Sequence, residues 1–149
     1  MSIQGPQSFA DVLNMKFHHT GIACRRLERE TRSWTSLGYT LEGSIFSDPL
    51  QGIRGQFMVL GSARIELLEA LPGSHVLDPW LANGSPLYHF GYEVAEVSEG
   101  IQNLSGSGFK VISEPRPAVA FNGREVVFLI RSNRMVIELI ESDQSVDPV

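Results

Sequence analysis

A single cysteine, Cys24, is the only thiol in this 149-residue chain. No intrachain disulfide framework can therefore hold it together, and a reducing compartment suits it. Long apolar runs are missing too: none approaches the ~20 residues that a membrane helix needs. Met1 to Asn14 lack the basic start and apolar stretch of a signal peptide, so the expectation is a cytoplasmic protein with no membrane partner. Positive charge is scarce, with 12 Lys and Arg against 17 Asp and Glu and a net charge of −5. That balance argues against nucleic acid as a partner, because such binders need a basic face to displace counterions from phosphates. What remains is a hydrophobic content of 42 %, enough for a sizeable core in one domain.

The ends, residues 1–14 and 142–149, have polar or Gly/Pro/Ser-bearing compositions without sustained period and read as flexible tails. Between them the pattern predicts strands at 15–24, 39–46, 53–60 and 63–70, with a helix at 26–37 between the first two. In that helix Leu27, Thr31, Trp34 and Leu37 fall on one side, and Gly38 supplies the stop. Gly61-Ser62 has the length of a tight hairpin turn. A Pro/Gly-bearing linker and a short helical stretch at 76–82 follow, and then the order restarts. Strands are predicted at 86–94, 109–113, 125–130 and 134–141, with a Gly- and Ser-diluted helix at 97–106. The chain thus reads as βαβββ twice.

The repetition extends to individual residues. His19-Thr20-Gly21-Ile22 in the first strand answers His89-Phe90-Gly91-Tyr92 in the fifth, and Ile65-Glu66-Leu67-Leu68-Glu69 answers Ile137-Glu138-Leu139-Ile140-Glu141. The histidines lie 70 residues apart and the glutamates 72, so the same two residue types recur in nearly one register. If the halves pair about a pseudo-twofold axis, all four converge near it. Strand alternation puts His19 with Gly21, and His89 with Gly91, and the glycines should leave open space for a ligand beside each imidazole. A carboxylate buried in an Ile-Glu-Leu run needs a charged partner or a metal. Two imidazoles and two carboxylates form a set suited to Zn, Ni, Co, Mn or Fe, with room for substrate oxygens in an octahedral shell. By the same alternation His18 points away from His19 and reads as structural or surface, and His75 in the linker reads as solvated. Cys24 reads as a small core residue, and Arg25, Arg26, Arg29 and Arg32, interleaved with Glu28 and Glu30, as a solvated helix face.

Phe17-His18-His19-Thr20-Gly21-Ile22-Ala23-Cys24 resembles the opening strand of vicinal oxygen chelate proteins, the glyoxalase, bleomycin-resistance and dioxygenase superfamily. Within it, Leu50-Gln51-Gly52-Ile53-Arg54, Tyr88-His89-Phe90, Val126-Val127-Phe128-Leu129 and the two Ile-Glu-Leu runs are most similar to methylmalonyl-CoA epimerases. The resemblance covers 15–141 and implies an α+β fold. Two βαβββ modules in tandem (about 15–71 and 85–141) would form a cupped, mainly antiparallel eight-stranded sheet around a metal site. It implies His19, Glu66, His89 and Glu138 as ligands of one divalent ion (Co, Ni, Zn, Mn or Mg), and a homodimer. One departure stands out. Many epimerases of this kind carry a glutamate, proposed as an acid–base residue, where this chain has Gly55. The 118–123 segment is also bulkier than the Gly-rich loop usual among them.

The function expected is a metal-dependent epimerase or isomerase that removes a proton α to a carbonyl, acting on a CoA- or carrier-bound thioester, with Glu138 or Glu66 as base. The alternatives are a glyoxalase I-like lyase acting on a hemithioacetal, for which His-Glu-His-Glu is also the ligand set, and a non-catalytic binding or resistance protein. An extradiol dioxygenase fits less well, because a fourth ligand would occupy a position its 2-His-1-carboxylate iron needs open.

Overall fold

In the computed structural model, which describes residues 15–143, each half of the chain builds one βαβββ unit, the second with one additional short strand. The first comprises β1 (Lys16–Cys24), α1 (Leu27–Ser36), β2 (Thr40–Asp48), β3 (Ile53–Leu60) and β4 (Ala63–Ala70). A short helix α2 (Asp78–Ala82) leads into β5 (Leu87–Val94), α3 (Val97–Ser105), β6 (Lys110–Val111), β7 (Arg116–Pro117), β8 (Glu125–Ile130) and β9 (Val136–Glu141). The predicted tails lie outside the described residues, apart from Ser142 and Asp143. Ser142 is tied down, its N–H and hydroxyl both donating to the Val94 carbonyl at 2.8 Å.

All nine described strands join one cupped sheet in the order β2-β3-β4-β1-β5-β9-β8-β6, with β7 added against β8. The pairs β1–β4 and β5–β9 are parallel and the rest antiparallel. The extra strand, β7, was not expected because it sits in Glu-Pro-Arg-Pro. Proline cannot donate to a ladder, and β7 is accordingly a two-residue edge piece bound only to β8.

Burial explains which way each strand faces. On the outer face Ile22, Met58, Ile65 and Leu67 pack under Leu27 of α1, and Val94, Val127, Leu129 and Leu139 pack under Val97 of α3. The alternate residues turn into the cup, where Phe57 of the first module meets Phe121, Val126 and Phe128 of the second. With both faces covered, Ile65, Glu66, Leu67 and Leu68 are buried in succession. The glutamate of the Ile-Glu-Leu run is thus the inward member of an alternation with no wet side.

Local chemistry accounts for the connections. The β3–β4 hairpin turns on Gly61-Ser62, with positive φ at Gly61 (57°) and not at Ser62, as a type II′ turn demands of its first central residue. Helix α1 has no side-chain cap from Arg26; instead the Glu69 carboxylate of β4 accepts the Leu27 N–H at 2.7 Å. The helix stops at Ser36, and Gly38 follows with φ 104°. Leu37, expected on the buried side, is 65 % exposed, because it lies beyond the last helical residue and out of phase with Leu27.

Candidate metal centre

The site is built on two adjacent rungs of the sheet. Glu66 of β4 pairs in register with Gly21 of β1, which pairs with His89 of β5. His19 of β1 pairs with Gly91 of β5, which pairs with Glu138 of β9. In each rung a glycine separates two functional side chains, and each module contributes one histidine and one glutamate. The glycines do not leave room for an external ligand, as alternation had suggested. A Cβ on Gly21 would stand 2.3 Å from the His89 ring, and one on Gly91 would stand 2.2 Å from the His19 ring. Each glycine clears space for the imidazole of the other module.

All four expected residues come together and all are buried: His19 0 %, His89 1 %, Glu138 2 % and Glu66 4 % exposed. The two Nε2 atoms are 2.9 Å apart. Each lies 3.2–3.3 Å from Oε1 of Glu66 and of Glu138. The four candidate ligand atoms sit within 4.8 Å of one another. These are the separations of lone pairs aimed at one point. Among the described residues Glu138 Oε1, although close to both rings, makes no hydrogen bond of proper geometry, and neither does His89 Nδ1. A single divalent cation would neutralise the two carboxylates while leaving both imidazoles neutral. The donor set, its spacing and its orphaned oxygen therefore fit a divalent ion held by His19, Glu66, His89 and Glu138.

Without an ion, protons must balance the charge. Burial alone would hold His19 neutral, but Glu66 and Glu138 outweigh it and lift the imidazole to about 9. The same contest raises His89, with Glu138 as its leading partner. Burial pushes both carboxyls up and the two imidazoles overcome it, keeping Glu66 and Glu138 below the usual carboxylate range.

His18 corrects the reading from alternation. The β1–β5 register shifts between Phe17 and His19, and again at Gly21/Ile22 opposite Tyr88. Each shift is a bulge at the residue before a site histidine, and a bulge re-aims its side chain. His18 consequently turns into the cup, its Nδ1 2.8 Å from His19 Nδ1 and its ring edge-on to Phe57 and Phe121. Burial, then the neighbouring charges of His19 and Arg64, push it down to about 4. Tyr88, at the matching bulge, packs edge-on to His89 with centroids 4.6 Å apart and stacks on Phe128. The signal for both was present in the repeat, as the paired dipeptides His18-His19 and Tyr88-His89.

One side of the centre is closed by aromatics. Phe121 lies over the His19 ring at 6.0 Å with an interplanar angle of 27°, and Phe57 and Phe46 back it. Gly55 belongs to this wall: a Cβ there would meet Phe46 Cζ at 2.5 Å and the Leu67 carbonyl at 3.0 Å, so no glutamate fits while Phe46 stays. Residues of both modules line a cavity of about 790 Å³, with Tyr88, Phe128, Val126 and Trp80 among its walls and Arg116, Ser74 and Gln51 among its polar groups.

The remaining candidates behave as expected. His75 is exposed and paired with Asp78 at 2.8 Å. Cys24 is buried, and desolvation raises its thiol to about 12, so it stays protonated. Arg25, Arg26, Arg29 and Arg32 are exposed. No helix among the described residues is long and apolar enough to cross a membrane.

Known proteins resemble this chain in sequence or in fold. An ethylmalonyl-CoA/methylmalonyl-CoA epimerase of Cereibacter sphaeroides is 26 % identical over 118 residues, spanning 76 % of this chain and 87 % of its own. A hypothetical protein from Bacillus halodurans superposes with a TM-score of 0.75 at 27 % identity, covering 90 % of this chain and 99 % of its own. A variant of the Streptomyces coelicolor methylmalonyl-CoA epimerase, in complex with 2-nitronate-propionyl-CoA, gives 0.72 at 23 % identity, covering 89 % and 97 %. Residues 18–128, most of both modules, match the family profile itself. With the duplicated modules and their shared centre, that match places the chain in the Glyoxalase/Bleomycin resistance protein/Dioxygenase superfamily.

Proposed function

We propose that this chain is a metal-dependent epimerase of acyl thioesters, exchanging a proton at the carbon α to the thioester carbonyl. One observation carries the reading: four buried candidate ligand atoms converge on one point, and His89 among them touches Tyr88 and Phe128, which also line a cavity of about 790 Å³. A divalent ion held there would supply Lewis acidity toward negative charge developing on substrate oxygens.

The chain's own residues have the remaining tasks. His19 and His89 fix the centre from opposite modules. Phe46, Phe57 and Phe121 keep water from its far side. The cavity takes the acyl group and the start of its thioester arm. Glu138 or Glu66 accepts the α-proton: the C–H bond breaks and its electron pair moves into the carbonyl. The other carboxyl, in its protonated form, then gives its O–H proton to the opposite face as the pair returns, which inverts the carbon, and exchange with solvent resets both groups. Glu66 flanks the imidazole pair from β4 and Glu138 from β9, which supports one carboxylate for each face. With Phe46 filling the space at Gly55, these two are the carboxylates of the centre. The Tyr88 phenol is pushed up by burial and by Glu138 and Glu66, so it remains a hydrogen-bond donor.

The test is solvent exchange. Protein loaded with Co, Ni, Zn or Mn is incubated with methylmalonyl-CoA in deuterated buffer, and metal-dependent deuterium at the α-carbon is expected. Loaded protein that incorporates none would rule out this substrate. A second reading, isomerisation of a hemithioacetal, is favoured by Gly55 together with Glu66. It is scored in parallel with the methylglyoxal–thiol adduct, which an epimerase leaves untouched. A cytoplasmic homodimer belongs to the same reading and is checked by sedimentation.

A further inference from the structure

We propose that His18 is a positioning residue for the metal centre: its Nδ1 accepts the Nδ1–H of His19, 2.8 Å away, and holds the His19 ring with Nε2 aimed at Glu66, Glu138 and His89. The proposal rests on the reading that these four residues hold a cation. For His19 to offer Nε2 as a lone pair, its proton must sit on Nδ1, and a buried N–H needs an acceptor. His18 is the group that meets it.

His18 is itself held in place. The bulge between Phe17 and His19 turns its side chain inward. Phe57 and Phe121 grip its ring edge-on, with centroids 5.7 and 5.3 Å away. Its carbonyl accepts Arg64 Nη1 at 3.1 Å, and the Glu42 carboxylate clamps that guanidinium at 2.8 and 3.2 Å. The support is one-sided. At the equivalent bulge Tyr88 meets its neighbour in an edge-to-face ring contact, and His89 Nδ1 is buried with no hydrogen-bond partner among the described residues. The pseudo-twofold axis relates two ligand histidines, one braced and one unbraced.

Two substitutions separate hydrogen bonding from packing. His18→Phe keeps a ring between Phe57 and Phe121 but removes the acceptor. His18→Asn discards the ring but places an oxygen about where Nδ1 stood. Cation affinity is measured by chelator competition with Zn and Ni, and folding of the metal-free variants by urea titration. The expected result is affinity lowered about 10- to 100-fold in His18→Phe, largely restored in His18→Asn, whatever the two changes do to stability. Wild-type affinity in His18→Phe, or an equal loss in both variants, overturns the proposal. In metal-free ¹⁵N-labelled protein the bond itself is read as a scalar coupling between the two Nδ1 nuclei, and its absence also overturns the proposal. Wild-type protein that binds neither cation removes the metal-centre reading, and this one with it. Tight wild-type binding that His18→Phe leaves unchanged removes this one alone.

Discussion

Gly91→Ala adds one methyl group and should disable the centre. The new Cβ would lie 2.2 Å from the His19 ring, whereas ordinary contact begins at 3.4 Å, so the imidazole must retreat by the difference, 1.2 Å. It has nowhere to go: His19 is fully buried, with His18 on one nitrogen and Glu66, Glu138 and His89 around the other. Two opposing terms set the stability change. Removing glycine freedom from the unfolded chain contributes about 0.4–1 kcal/mol in favour of folding. Forcing a methyl into packed space costs about 1–3 kcal/mol. The net expectation is a loss on the order of 1–2 kcal/mol for the metal-free protein. Cation affinity should fall further, on the order of 100-fold, because displacing the ring spoils both its ligand geometry and its support. Gly106→Ala is the control. Its φ of −68° suits alanine, and its Cβ would meet nothing closer than 3.4 Å. Urea titration and chelator competition on both variants decide the matter. Equal stability and equal affinity in the two would refute the idea that Gly91 exists to make room for the imidazole.

Three further outcomes are expected. In metal-free protein the raised His19 contributes stability that is complete below 6.5 and lost as pH climbs through about 9. The lowered Glu66 and Glu138 contribute stability present above 4.5 and lost on acidification. Urea midpoints should therefore peak between those limits, and cation affinity should rise from pH 6.5 to 9 as binding displaces imidazole protons. Glu69→Ala uncaps α1 and releases Arg54, and thermal or urea unfolding should register a loss of about 1–2 kcal/mol, with cation affinity unchanged. Gly55→Glu should destabilise by about 2 kcal/mol or more, because the new side chain strikes Phe46 and the Leu67 carbonyl. Pairing it with Phe46→Ala should recover part of that loss, and no recovery would mean Phe46 is not the obstacle.

The four clustered residues were legible because they are duplicated: His19 and His89, Glu66 and Glu138 recur in one register, and the sheet brings equal registers together. Strands 53–60, 63–70 and 125–130 were legible to the residue, since each is a run of apolar or β-branched residues ended by turn chemistry. What escaped depends on contacts between elements. Strict alternation sends His18 outward, and only the β1–β5 register reveals the bulge that brings it in. The glycines were correctly linked to the imidazoles but given the wrong occupant, because the His19 ring fills space beside Gly91 on another strand. Leu37 was placed on the buried side of α1, yet it lies out of phase with Leu27 and one residue beyond the helix. The aromatic wall of Phe46, Phe57 and Phe121 draws on β2, β3 and the turn at Val119–Phe121, three places that no short sequence window links.

The two rungs also determine what a lone module could achieve. Glu66 and His89 share one rung, His19 and Glu138 the other, and each couple is completed across the β1–β5 seam. A solitary half would own one imidazole and one carboxylate on separate rungs, too few to hold a cation. It could bind one only by docking against another half. In this molecule the seam between the halves and the gathering of the four candidate ligands rest on the same set of contacts, so whatever loosens one must loosen the other.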